Sequence, residues 1–338
     1  MSEDILMTEA GVMELAQRFL TGQGLAAPHA AAMARALTRA QRDGGLSHGL
    51  QRLPGTRDTI GHPEFNKAAR PKVEQLTPAV VQVDADYGFS IYGTELGLPA
   101  LRRSAGQLGI AFMAVRNGFH STALWPVVED LAEAGLVGLS MNPTHDWVAP
   151  AGGSRPVFGT NPIAFAWPRP DQKPYVFDFA TTAASRADIA MHRQAGQQVP
   201  PGWGLDPEGQ ATTDPAAILA GAMLPFGAHK GSAIATMIEL MAGPMIGDRT
   251  SHSSARFDAG HQAAPCHGEL IIALNPGLLG GAGDVENAER MLNAISGQGA
   301  RLPGSRRHAL RARHDREGIP VRKALYERIL QLMADAPG

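Results

Sequence analysis

The sequence predicts a mixed α/β (α+β) fold, with a sheet-forming middle and helices at both chain ends. Three observations carry this. Short β-branched and aromatic runs recur through the middle of the chain, segments with helical spacing fall between them, and the order of the two shows no strict strand–helix–strand rhythm. At the N-terminus Thr8 is placed to cap a helix that puts Val12, Leu15, Ala16, Phe19 and Leu20 on one face and stops near Gly22 and Gly24. An Ala-rich helix from Pro28 to Ala40 follows and runs into the polar, Gly-rich stretch Gln41 to Gly49.

Strands are expected at Ala79–Val83, Gly109–Val115, Leu136–Met141, Ile163–Trp167, Tyr175–Phe179 and Glu269–Leu274. Helices are expected at Ile91–Gln107, Thr122–Ala134, Ala187–Gln194, Lys230–Met241, Asp284–Ile295 and Val321–Ala334. Asp248 to Gly268, rich in Ser, His and Ala and without periodicity, reads as a mobile surface loop.

Composition narrows the function. The chain has 338 residues, 30 basic and 32 acidic, with a net charge of −2. No long Lys/Arg block is present, so neither nucleic acid nor an anionic membrane is expected as partner. Cys266 is alone, which excludes an internal disulfide and a Cys-rich zinc site, and no metal is expected. The acidic start Met1-Ser2-Glu3-Asp4 lacks the basic region of a signal peptide, and the apolar stretch Ala233–Gly247 is too short to span a bilayer. The expectation is a soluble cytoplasmic protein. The 39 glycines and 25 prolines, above average usage, point to many loops that approach something closely.

Common nucleotide signatures are incomplete. Gly281-Ala282-Gly283 has Glu286 where a dinucleotide fingerprint needs a third Gly or Ala. Lys230 lacks the flanking residues of a P-loop, and neither His-Glu-x-x-His nor Gly-x-Ser-x-Gly occurs. Four loop segments are better candidates. In Ser47-His48-Gly49 with Arg52, Ser47 can orient the imidazole, His48 can exchange a proton near neutrality, and Arg52 can hold a carboxylate bidentately. Capping and helix-end roles remain the structural alternative. Asn117 to Ser121 is either a turn or a place where backbone amides receive an anion. Phe158-Gly159-Thr160-Asn161-Pro162 and Asp178 to Thr182 offer polar groups at strand ends. In Pro225 to Ser232, His229 and Lys230 oppose the dipole of the helix they start, a conflict that an external phosphate removes.

In this order the segments resemble the type-2 malate/lactate dehydrogenases, NAD(P)-dependent oxidoreductases without a Rossmann fold, over about residues 8–335. Ala40 to Gly44, Ser47-His48-Gly49, Ala123-Leu124-Trp125-Pro126, Leu224 to Gly227 and Arg301-Leu302-Pro303-Gly304 look more closely like the Δ1-piperideine-2-carboxylate/Δ1-pyrroline-2-carboxylate reductase branch. The resemblance implies a non-Rossmann sheet domain binding NADPH (76–299) and a largely helical domain built from both chain ends (1–75 with 300–338), assembled as a homodimer. It implies a catalytic set of Ser47, His48 and Asp188, with Arg52 and Thr160 on the substrate, a small cyclic imino acid. It further implies cofactor contacts from His120, Ser121, Thr122, Ala123 and Leu124, from Asp178, Phe179 and Ala180, and from His229 and Lys230. Arg301, Leu302, Pro303, Gly304, Ser305, Arg306 and Arg307 complete that set.

Asp188 stands in Arg186-Ala187-Asp188 where the malate/lactate branch commonly resembles Gly-Lys. A carboxylic acid suits an imine nitrogen, and a helix-start acid is its alternative role. Arg301, Arg306 and Arg307 favour NADPH over NADH through a 2′-phosphate, or form a solvated basic turn. The expected activity is NADPH-dependent reduction of cyclic α-imino acids. The alternatives are a malate/lactate-type 2-hydroxy acid dehydrogenase and a non-catalytic ligand-binding relative.

Overall fold

The computed structural model describes residues 4–280 and 285–335. The N-terminal part runs β1 (Asp4–Met7), α1 (Glu9–Gly22), α2 (Ala27–Arg42), two short 3-10 turns and α3 (Leu53–Ile60). The middle runs β2 (Lys72–Thr77), β3 (Val80–Asp84), α4 (Ser90–Leu108), β4 (Ile110–Phe119), α5 (Trp125–Glu133), β5 (Val137–Met141), β6 (Ile163–Trp167) and β7 (Tyr175–Phe179). Next come α6 (Arg186–Gln194), β8 (Gly204–Leu205), β9 (Ala211–Thr212), α7 (Pro215–Ala220), β10 (Ala222–Met223), α8 (His229–Ala242) and α9 (Ser251–Asp258). The chain ends with β11 (Cys266–Leu274), α10 (Val285–Ser296), α11 (Ser305–Glu317), β12 (Ile319–Arg322) and α12 (Lys323–Ala334).

Seven strands form one mixed sheet in the order β2-β3-β4-β11-β5-β6-β7. Only β3 and β4 pair in parallel among them, and α4 makes the crossover. Side-chain alternation fixes which face each residue serves. Met113, Val115, Ile271 and Ala273 pack with α4 and α5 on one face, while Phe112, Leu270 and Ile272 pack with Ile238 and Ala242 of α8 on the other. The two chain ends meet: β1 pairs antiparallel with β12, and α1, α2 and α12 share a core around Phe19, Met33, Leu37 and Ile329.

The predicted elements appear with shifted ends. The strand from 109 runs on to Phe119, and the helix predicted from Thr122 starts only at Trp125. There the Asp178 carboxylate accepts hydrogen bonds from the Leu124 and Trp125 amides and ends the loop. Gly281-Ala282-Gly283 lies outside the described residues. One expectation is overturned. Asp248 to Gly268 is not a surface loop: Thr250 caps α9, Ser251, Ser254 and Asp258 are buried, and Ala263 and Cys266 join the core. Its inward-facing residues are polar and hydrogen-bonded, so the segment has no apolar period to read.

Helix α11 also escapes an apolar-period search, because it docks through charge. Arg311 bonds Asp43 and Glu129, both with fully buried side chains, and Arg39 of α2 reaches Glu129 and Asp130 of α5. Burial works to raise the Glu129 pKa, but Arg311 and Arg39 outweigh it and hold the carboxyl below its usual range. This network joins α2, α5 and α11 directly behind the site.

Candidate active site

A cleft of about 810 Å³, within the range of small-molecule and cofactor sites, opens between the sheet edge, the exit of α2 and the start of α11. The exit of α2 is built around Gln41, which is buried. It donates to the Pro320 carbonyl and accepts from the Leu50 amide, bracketing the Ser47–Gly49 turn. A Cβ at Gly49 would come within 2.4 Å of the Gln41 amide oxygen, so only glycine lets the turn lie this close.

On that turn Ser47 Oγ lies 3.1 Å from His48 Nδ1, and Arg52 Nε donates to the Ser47 carbonyl at 2.7 Å. Arg52 Nη2 is 3.5 Å from His48 Nε2. A guanidinium only donates, so this contact leaves Nε2 unprotonated and assigns the proton to Nδ1, facing Ser47. Burial among the cleft walls, then Arg52, then His120, pull the His48 pKa down to about 3, so the imidazole is neutral. Arg52 faces the open cleft, and among the described residues no carboxylate pairs with it. The protein packed around it lowers its pKa by desolvation. A neutral imidazole beside an unneutralised guanidinium is an arrangement suited to an incoming carboxylate.

The floor of the cleft is a second histidine group. His120 Nε2 donates to the Thr122 carbonyl, its Nδ1 meets Ser90 Oγ at 3.1 Å, and Glu269 lies 3.7 Å away. His267 beside it is buried, and desolvation followed by His120 holds it neutral, well below its ordinary pKa. The opposite wall carries Thr160. Its backbone N–H donates to Thr144 Oγ1 at 2.9 Å, and the two hydroxyls are 3.4 Å apart.

The far end of the cleft is basic and aromatic. Arg307 lies over the Trp125 ring at 4.3 Å, and its Nη1 is buried without a hydrogen-bond partner. Such an orphaned donor fits an anionic group of a bound dinucleotide. Asp178, between Arg307 and the α5 start, has its pKa raised by burial against the opposing pull of the Trp125 amide and Arg307. Gly304, in the left-handed region, lets α11 start against β7, since a Cβ there would meet the Val176 carbonyl at 2.9 Å.

The cleft therefore brings together Ser47, His48, Arg52, His120, Ser121, Thr122, Ala123, Leu124, Thr160, Asp178, Phe179, Ala180, Gly304, Arg306 and Arg307. Several other expected residues do not line it. Asp188 closes the capping box of α6, accepting from the Ser185 hydroxyl at 2.7 Å, while Ser185, Arg186 and Ala187 form the wall. His229 and Lys230 are exposed at the start of α8. Phe226, just before them, meets the rim residue Phe179 with ring centres 6.0 Å apart. Arg301, Leu302, Pro303 and Ser305 form the turn into α11, with Ser305 Oγ donating to the Leu302 carbonyl.

One expectation fails here. The amides of Asn117, Phe119 and His120 donate to Asp248, Gly88 and Pro265, so they are not open to an anion. Sequence reasoning missed Asn142, Thr144, Trp147 and His267 in the cleft wall. The turn Asn142-Pro143-Thr144 after β5 was the available signal for the first two.

Known proteins resemble this chain over nearly its whole length. The family profile described as malate/L-lactate dehydrogenase matches residues 7–330. Delta(1)-pyrroline-2-carboxylate reductase 1 of Burkholderia ambifaria is 50% identical over 334 residues, 98% of each chain. The Delta(1)-pyrroline-2-carboxylate/Delta(1)-piperideine-2-carboxylate reductase of Pseudomonas aeruginosa is 48% identical over 332 residues, covering 97% of this chain and 99% of its own. The crystal structure of delta1-piperideine-2-carboxylate reductase from Pseudomonas syringae superposes with a TM-score of 0.93 at 37% identity, over 97% of this chain and 99% of that one.

Proposed function

The chain belongs to the malate/L-lactate dehydrogenase family, and from that premise we propose that it reduces cyclic α-imino acids, Δ1-pyrroline-2-carboxylate and Δ1-piperideine-2-carboxylate, with NADPH. The observation that carries the reading is the turn at the exit of α2, where neutral His48 and unneutralised Arg52 share one end of a cleft whose other end holds the orphaned donor of Arg307.

Arg52 binds the substrate carboxylate through its terminal nitrogens, since Nε is committed to Ser47. Thr160, on the facing wall, orients the ring. Burial is the main opponent of a charged His48, but pairing Arg52 with a carboxylate removes the next one and eases protonation of Nε2, from which the proton passes to the imine nitrogen. Ser47 holds the other ring nitrogen and fixes the orientation of the imidazole. A nicotinamide dinucleotide bound in the cleft would supply a hydride for the imine carbon, and with a proton from His48 on the nitrogen the ring would become a secondary amine. Arg307, Trp125 and Asp178 would hold the dinucleotide, with Arg306 and Arg307 placed to read a 2′-phosphate. Asp188, bonded to the wall residue Ser185, supports the position of the α6 start. The enzyme works as a homodimer, which light scattering at twice the chain mass tests.

The decisive assay follows NADPH absorbance with Δ1-pyrroline-2-carboxylate, Δ1-piperideine-2-carboxylate, pyruvate and oxaloacetate in turn. Oxidation with the imines alone, yielding proline and pipecolate, is expected. Turnover of the oxo acids alone would make it a 2-hydroxy acid dehydrogenase, and cofactor binding without turnover a ligand-binding relative.

A further inference from the structure

The family reading leaves unexplained a fully enclosed polar group behind Thr160. Glu239 of α8 is 7% exposed, and Ser251, at the first position of α9, is 0% exposed. Ser251 Oγ donates to Glu239 Oε1 at 2.5 Å and accepts from the Gly159 amide at 2.8 Å and the Thr144 amide at 3.2 Å. Asn161 Oδ1 also lies 3.2 Å from this hydroxyl, whose single proton faces both it and the nearer carboxylate oxygen while both lone pairs accept amides. Glu239 further accepts from the Ser251 amide and from Asn161 Nδ2, both at 2.8 Å. Asn161 is itself 0% exposed and has a positive φ of 35°, a conformation that needs external support in a residue other than glycine. Gly159 has no room for a side chain: a Cβ would fall 2.1 Å from Thr144 Oγ1.

Both residues flanking Thr160, and the backbone amide of Thr144, whose hydroxyl receives the Thr160 amide, are thus tied to the same serine–carboxylate pair. We propose that Glu239 and Ser251 are positioning residues: they clamp the Gly159–Asn161 turn against Thr144 and so set the Thr160 hydroxyl in the cleft. A buried polar network this densely bonded is rigid and specifies one geometry, which is what a wall that orients a small ring requires. The role explains why α9 is ordered and buried despite its polar sequence. It rests on the reading that Thr160 contacts substrate.

The test is a double-mutant cycle on the full-length enzyme with Δ1-pyrroline-2-carboxylate and NADPH. Ser251→Ala is expected to raise substrate KM about tenfold, the loss of roughly one neutral hydrogen bond's worth of positioning, with kcat and NADPH KM within about twofold. Thr160→Val should raise KM similarly, and adding Ser251→Ala to it should change KM less than about twofold, because the clamp acts through Thr160. Independent, additive effects would overturn the proposal. Glu239→Gln keeps the shape and one acceptor, so it should give a smaller KM effect, and it carries the test if Ser251→Ala fails to fold. Hydrogen exchange supplies a readout separate from activity: the peptide covering Gly159 and Thr160 should exchange about tenfold faster in either variant than in the parent. Unchanged exchange there refutes the clamp, whereas absent imine turnover in the parent with faster exchange in the variants refutes only the substrate assignment.

Discussion

Replacing Arg52 by Met removes the guanidinium that the cleft offers to a substrate carboxylate next to His48. Nε is already bonded to the Ser47 carbonyl, so the two terminal nitrogens remain for the ligand. Hydrogen bonds to a charged group contribute about 1.5–3 kcal/mol each, and two of them about 3–6 kcal/mol. The side chain is open to solvent on the cleft side, and screening discounts that figure towards about 3–4 kcal/mol. At 1.36 kcal/mol per decade, kcat/KM should fall roughly 10²- to 10³-fold, most of it in KM. Arg52→Lys keeps the charge but loses the planar fork and the bond to Ser47, and should lose about tenfold. Arg52→Met also takes a cation from beside His48 but leaves the burial that is the larger cause, so the imidazole pKa should rise only in part from about 3, seen in an NMR titration of labelled histidine. Steady-state kinetics with the imino acid provides the main readout. A KM within twofold of the parent in Arg52→Met would refute the assignment of the carboxylate to this residue.

Other perturbations probe the cofactor end and the frame. Arg307→Ala should raise the KM for NADPH about 10- to 100-fold, one charge-assisted contact, while that for NADH changes little; equal losses for both cofactors would argue against a 2′-phosphate contact. Glu129→Ala takes one of two carboxylate partners from each of Arg39 and Arg311, Asp130 and Asp43 remaining, and should cost about 1.5–3 kcal/mol in urea unfolding at pH 7. Because the folded-state pKa of Glu129 is depressed, its contribution is present above the ordinary carboxylate range and is lost as pH falls through the folded value. The gap between parent and variant should therefore narrow in acid, and a constant gap would contradict the pairing. Cys266, buried and with its thiol pushed up to about 12, should resist thiol reagents at pH 8 until the chain unfolds; rapid labelling of the native protein would show that its burial is not maintained.

Much of the fold was legible because the central strands read as short apolar runs, covered on both faces, and the helices α1, α2, α4, α5 and α8 carry apolar faces. What escaped has a common cause. Helix α11 docks through Arg311 and Arg307, and α9 through Ser251 and Ser254, so both bury polar groups that a search for apolar periodicity discards. The site was legible where its residues sit close in sequence, as in Ser47, His48 and Arg52. It was illegible where the sheet assembles it: His267 enters from β11 and Asn142 from the end of β5, neighbours only through strand pairing. Of the two readings of Asn117 to Ser121, the sequence could not choose, since the acceptors of the Asn117, Phe119 and His120 amides, in Asp248, Gly88 and Pro265, are distant in sequence.

The central claim is that this cleft delivers hydride to the carbon bearing the carboxylate of a cyclic imine and a proton to its nitrogen. NADPH deuterated at the transferable position of the nicotinamide, incubated with enzyme and Δ1-pyrroline-2-carboxylate, tests it directly by NMR of the product. Proline carrying deuterium at the α-carbon, with its formation slowed by roughly two to four orders of magnitude in His48→Ala, is the predicted result. Oxidation of the cofactor without deuterium at that carbon, or an undiminished rate in His48→Ala, would contradict the account.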